Sequence, residues 1–454
     1  MKRLVFGIAL MTVVVFSACA QQNTHERYFR VEPIDGGRSV RIVEYVGENW
    51  TVRIPPRIRN LPVSHIGERA FRGKNLISIT IPNTVTEIEA EAFEFNQLTS
   101  VTIPDSVEYI GVRAFGGNQL TNVTISNNVT RIENGTFQDS QLTTIIIPNN
   151  VTYIGGWAFR NNLLTTVIIP DSVTSIGSWA FRDNQLTTVT IGNGVTHIGE
   201  NAFAENQLIS VIIGNSVASI GSLAFANNQL PSIIIPNSVT SIGSLAFASN
   251  QLPSVTIPES VVTIGSWAFS GNLTTEGDFT LSLSGDGRSI GIAGYAGTNA
   301  QIPTQVRGKP VTFIDVDAFR DKGLTNITIP DSVTEIMYGA FADNQLTSIT
   351  FHIGITYIGV RAFENNHLTS IAFPSSIGIG ASAFENNQIT NATIPDRSSV
   401  RGHAFRGNPM TTVTIGDHVS IERDTFGDLV FQIYNNIRGR IGPATFVFRD
   451  GRWW

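Results

Sequence analysis

A phenylalanine returns at an interval of 22 residues ten times in succession, at Phe71, Phe93, Phe115, Phe137, Phe159, Phe181, Phe203, Phe225, Phe247 and Phe269. After a gap the beat resumes at Phe319, Phe341 and Phe363, then shortens to 21 residues through Phe384, Phe405 and Phe426. These slots hold 16 of the 27 phenylalanines of a 454-residue chain, and alanine precedes 14 of them, so the column is one repeated structural position. A repeat this short fixes the fold class before any secondary structure is assigned.

Within the unit, Leu98-x-x-Val101-x-Ile103 alternates apolar and polar residues, is rich in β-branched side chains and stops at Pro104. That pattern predicts a short strand. Val107-x-x-Ile110-Gly111 then turns the chain back, and Ala114-Phe115 opens a tight helical or 3₁₀ turn toward the next strand. One such coil has too few inward side chains to offset the conformational entropy of ordering it. Stacked coils pair their strands in parallel about 4.8 Å apart and bury like residues against like. The sequence therefore predicts a solenoid with a parallel β-sheet on one face and short turns or 3₁₀ or helical segments on the other.

Asn96, Asn118, Asn184, Asn206, Asn228, Asn250, Asn344 and Asn366 stand three residues after the phenylalanine, and Ser140 interrupts them. We expect a buried ladder whose amides bond the turn backbone of their own and the next coil. Gly111, Gly155, Gly177 and Gly199 follow the second isoleucine, which implies positive φ or close approach of neighbouring coils.

The string Leu-x-x-Val-x-Ile-Pro-x-x-Val-x-x-Ile-Gly-x-x-Ala-Phe resembles the BspA-type leucine-rich repeat and extends over about 66–426 with one interruption. Members of that family usually have a 23-residue unit with cysteine after the phenylalanine turn; here asparagine takes the slot and one residue is missing. The resemblance implies a β-rich leucine-rich-repeat stack, surface exposure, and an adhesin-like role toward matrix proteins such as fibronectin or fibrinogen, host cells or other bacteria.

The interruption is itself patterned. Gly37-Arg38-Ser39-Val40, Tyr45, Gly47 and Asn49 return as Gly287-Arg288-Ser289-Ile290, Tyr295, Gly297 and Asn299. The chain thus divides into a signal peptide (1–18), a tether (19–27), a β cap (28–62), a first repeat block (63–272), a second cap-like module (273–313), a second block (314–430) and a C-terminal cap (431–454). In that last cap, Thr445 to Phe448 reads as a closing strand, with Trp453 and Trp454 covering the final coil.

At the N-terminus, Met1-Lys2-Arg3 precedes the uncharged run from Leu4 to Phe16, the charge and hydropathy profile of an export signal. Phe16-Ser17-Ala18-Cys19 resembles a bacterial lipobox, and Cys19 is the chain's one cysteine. We expect lipidation at Cys19, attachment to the membrane through that anchor alone, and an exported, lipid-anchored position in the cell envelope, on the outer-membrane surface. A lone cysteine excludes an intramolecular disulfide and a thiolate zinc cluster. The net charge of −6 supplies no basic excess for nucleic acid. The seven histidines fall at different phases of the repeat, and no catalytic, cofactor-binding or metal-binding motif occurs. Glu94, Asp183 and Glu205 are expected to be solvated.

A regular face of near-identical coils suits holding a partner better than converting a substrate. Outward strand positions give the row Thr102, Thr124, Ile146, Ile168, Thr190, Ile212, Ile234, Thr256, in which four isoleucines form an apolar stretch of the kind that marks interaction surfaces. Two residues before the phenylalanine stand Trp157, Trp179 and Trp267, a residue type enriched at binding hot spots. These residues are the candidate partner-binding set for a protein ligand. Two alternatives remain open: a periplasm-facing structural or assembly lipoprotein, and a carbohydrate-binding surface protein that stacks sugars on the three tryptophans. Oligomeric state and curvature are not legible in the sequence.

Overall fold

The computed structural model describes residues 22–297, 300–422, 424–426, 444–449 and 452–453. The expected signal peptide and Cys19 lie outside these residues. Successive coils stack into a β-solenoid with a single continuous apolar core from Phe29 to Phe426. No α-helix occurs among the described residues, and the 3₁₀ segments found, Glu26–Tyr28 and Asp35–Gly37, lie at the entry to the first cap and within it. The phenylalanine turns are plain turns rather than helical segments.

A representative coil shows why the repeat closes on itself. Leu98, Val101, Ile103, Val107, Ile110, Ala114 and Phe115 are all buried, while Ser100 and Thr102 of the strand Ser100–Thr102 face solvent. From Phe71 to Phe269 the rings stack face to face with centroids 5.0 to 5.8 Å apart, an offset aromatic arrangement that adds to the area each ring buries.

Hydrogen bonds join coils along three segments. The expected strand pairs in register at a spacing of 22, as in Thr166–Ile169 with Thr188–Ile191 and onward to Ser210–Ile212. It is not continuous, however, and the stretches around Ile146 and Ile234 lie outside regular strands. One reason is chemical: Ile209 N–H donates to Thr187 O at 2.9 Å, and the two following coils carry Pro231 and Pro253 at that position, which have no N–H to give. A more continuous ladder runs on the other side, where two-residue strands from Arg131–Ile132 to Thr263–Ile264 form a seven-stranded parallel sheet. The Val-x-x-Ile segment, expected to be only a return turn, thus carries the longer sheet.

Its glycines explain the spacing. Gly177 N–H donates to Ile154 O at 2.7 Å, and a Cβ on Gly177 would lie 2.4 Å from Gly156 N. Of the two expectations for this column, close approach is the one realised, since none of Gly111, Gly155, Gly177 and Gly199 has positive φ.

The third segment is the phenylalanine turn. The N–H groups of Arg69, Phe71 and Gly73 donate to the carbonyls of Ala90, Ala92 and Glu94 in the next coil at 2.8 to 3.1 Å. Residues two before and two after the phenylalanine sit in the left-handed region in coil after coil, with φ of 56° at Trp157 and 54° at Asn161, and alternate N–H groups of the turn thereby point along the stack.

The asparagine ladder forms with one correction. Asn206 Nδ2 donates to Phe203 O of its own coil at 3.2 Å and to Phe181 O at 3.0 Å, and its Oδ1 accepts from Leu186 N at 3.0 Å. Phe181 and Leu186 belong to the preceding coil. The amide therefore ties each coil backward, not forward to the next as expected.

The first cap is a sheet in which Phe29–Ile34 runs antiparallel to Ser39–Tyr45, itself parallel to Leu61–Ile66. The interruption repeats this arrangement with Phe279–Leu283, Ile290–Tyr295 and Lys309–Ile314, down to a register shift at the same place. It differs in one added strand, Leu273–Glu276, paired antiparallel to Phe279–Leu283. Gly287 lies against Val255 and Phe269 of the first block, so the core passes through the junction. At the far end, Ala444–Arg449 runs antiparallel to Thr412–Ile415. The side chains of Trp453 and Trp454 lie outside the described residues.

Candidate functional site

The strand wall is assembled by repetition. In-register pairing sets Ile168 beside Thr190 and Thr190 beside Ile212, with Ile146 and Ile234 in the flanking coils. All four isoleucines are 60 to 85% exposed. Thr124 is exposed and Thr190 half-buried in the same row. Ile209, three residues before Ile212 in the same coil, adds a further exposed apolar side chain; the sequence reading overlooked it, although it stands where most coils have threonine. No Asp, Glu, Lys or Arg occurs at the row positions from Thr102 to Thr256. An uncharged sheet face that leaves large β-branched side chains in water can bury them only against another surface.

The three tryptophans are carried by a different segment of the coil, with the two-residue strand Ser175–Ile176 between Ile168 and Trp179. The structure therefore does not merge the wall and the tryptophans into one patch. All three have left-handed backbone, with φ of 56°, 64° and 56° at Trp157, Trp179 and Trp267. Their surroundings differ. Trp179 lies under two guanidinium groups, Arg182 at 4.2 Å and Arg160 at 5.5 Å from the ring centroid, and Asp183 bridges both arginines at 3.5 and 3.3 Å. Trp157 is 40% exposed and Trp267 66%. The cover on Trp179 was readable in principle, because Arg160 and Arg182 each follow a phenylalanine in consecutive coils.

One expectation about charge fails. Glu94 is buried, not solvated, and its carboxylate meets Arg72 Nε at 2.6 Å. Arg72 also approaches Glu91, which takes a hydrogen bond from Arg69 at 2.8 Å. That hydrogen bond holds the Glu91 carboxyl below its ordinary range against the opposing effect of partial burial. Asp183 and Glu205 are partly exposed and lie near Arg182. Among the described residues no group of three or more His, Cys, Asp or Glu side chains could hold a metal ion.

Comparison with known structures returns leucine-rich repeat proteins, several of them bacterial. A leucine rich cell surface protein from Faecalibacterium prausnitzii is 24% identical, with 89% of this chain and 96% of that one covered and a TM-score of 0.37. A leucine-rich repeat protein from Bacteroides ovatus is 21% identical, with 82% and 94% covered and a TM-score of 0.46. The leucine rich repeat protein of T. pallidum is 23% identical over 44% of this chain and 84% of its own, with a TM-score of 0.31. The comparison with curated proteins gives no match. The BspA type leucine rich repeat region matches residues 64–186, 158–276 and 312–431, and with most of its length so matched the chain belongs to the BspA-type leucine-rich repeat family.

Proposed function

We propose that the chain is an exported, lipid-anchored surface protein that binds another protein through its strand wall and carries out no chemistry of its own. Four exposed isoleucines in five consecutive coils, on a face without charge, carry this reading. The family fits it, since a repeat solenoid of this kind is a typical protein-binding scaffold. The signal-like N-terminus and Cys19 supply the route to the cell envelope, and lipid at Cys19 is the one membrane attachment. A matrix or cell-surface protein is the partner class that the surface position and the apolar wall favour.

The test uses the chain from Ala20 onward against immobilised fibronectin, fibrinogen and whole partner cells. Ile168→Glu and Ile212→Glu each place a carboxylate in the centre of the wall, and we expect binding to fall by about tenfold or more, equivalent to roughly 1.4 kcal/mol, with the thermal unfolding midpoint unchanged. Equal binding by correctly folded variants removes the wall as the contact surface. Protease treatment of intact cells checks the location: digestion only after lysis places the protein on the periplasmic side.

A further inference from the structure

The junction between the first block and the second cap-like module holds a cleft of about 520 Å³ whose lining includes Trp267, Ser282, Asp315, Glu335 and Met337. Its chemistry is set by what the repeat has changed there. At Trp179 the residues following the phenylalanine in its own coil and the preceding one are Arg182 and Arg160, and both guanidiniums lie over the indole. At Trp267 the two corresponding residues are Ser270 and Ala248. The indole that is covered in one coil is exposed in the other, with the same left-handed backbone holding it.

A second substitution, independent of the first, concerns the carboxylate. Just past the first cap, Glu87 pairs across the ladder with His65, and their side chains are 3.4 Å apart. Where the second cap-like module meets the second block, the same register pairs Glu335 with Phe313, so the carboxylate persists and its nitrogen partner does not. Glu335 is exposed and forms no ion pair among the described residues. Asp315 lines the same cleft, with Ser282 Oγ donating to its Oδ2 at 3.0 Å, and no lysine or arginine among the described residues lines it.

We propose that this cleft takes a cationic side chain, arginine or lysine, presented by a partner polypeptide: the cation lies over Trp267 and its N–H groups reach Glu335 and Asp315. The proposal rests on the reading of the chain as a protein-binding solenoid and adds the chemistry of one contact. The chain's own Trp179 site displays the geometry, a guanidinium between an indole face and a carboxylate, and such a contact gains strength when partly withdrawn from water.

The experiment labels the chain from Ala20 onward with 5-fluorotryptophan and assigns the Trp267 resonance by its loss in Trp267→Leu, a residue already borne at this position by Leu223 and Leu245. The probe is the blocked tripeptide acetyl-Gly-Arg-Gly-amide, with the glutamine analogue and chitotriose as comparisons. We expect the arginine peptide to shift the Trp267 signal, its affinity to fall about tenfold in the isosteric variant Glu335→Gln, and the effect to weaken with salt. Ile168→Glu and Ile212→Glu should leave this shift intact, so failure of the strand wall and failure of the cleft are read separately. The proposal is overturned if the Trp267 signal does not move, if the glutamine peptide moves it equally, or if Glu335→Gln binds arginine as well as the parent does. A shift with chitotriose that is indifferent to Glu335→Gln assigns the cleft to sugar and overturns it too.

Discussion

At the scale of single residues, stability depends on buried polar groups finding partners at every coil. Each ladder asparagine satisfies two carbonyls and one N–H that the turn leaves inside the stack. Ser140 is the exception: it is buried, its Oγ has no hydrogen-bond partner among the described residues, and the rings on either side of Phe137 are the most widely spaced of the column, at 5.8 and 5.7 Å. Ser140→Asn restores a donor for Phe115 O and Phe137 O and an acceptor for Leu120 N, the contacts that Asn162 makes one coil later. We expect this substitution to stabilise the protein by about 1–2 kcal/mol in chemical denaturation. Sequence reasoning located the column and its break, because both are periodic. It could not give the direction of the bonds, since an amide three residues past the turn is equally near both neighbours until the backbone is traced. Glu94 was misread for a related reason: its slot is variable, and only the position of Arg72 in the preceding coil shows that the carboxylate is enclosed.

For the coil as an element, the limiting dimension is the gap between adjacent Ile-Gly segments. Gly177→Ala places a methyl carbon against the backbone of Gly155 and Gly156, where no flexible side chain can yield. The expected cost is about 1–3 kcal/mol, measurable as a lowered thermal midpoint, with amide exchange accelerated first in the coils on either side. The strands were only partly legible. Alternation in Leu-x-x-Val-x-Ile marked the strand segment correctly, yet the longer ladder lies in a two-residue stretch too short to show a period. Pro231 and Pro253 were visible as breaks in a threonine column, but their effect follows only from the N–H that Ile209 donates in the coil before. The cleft behind Trp267 had no signature in sequence, because its residues come from segments up to 70 positions apart, from Trp267 to Met337.

Across the whole molecule, the same cap fold serves two purposes, and side chains decide which. In the second copy Leu281, Ser282 and Leu283 are buried and an added strand covers the edge. In the first, Val31, Glu32 and Pro33 hold the corresponding positions, Arg30, Glu32 and Pro33 are exposed, and nothing lies within 4 Å of where a Cβ on Gly37 would be. Charge and proline on an edge strand oppose pairing with another chain. Transplanting the second cap's residues as Arg30→Thr, Glu32→Ser and Pro33→Leu should convert the terminus into an adhesive edge, seen as concentration-dependent association in light scattering; a mass independent of concentration would show that the edge is guarded by other means. The backward reach of the asparagines gives the stack a direction as well. Leu186 N has its amide partner only when Asn206 is in place, so each turn is finished by its successor, whatever the order in which the coils form.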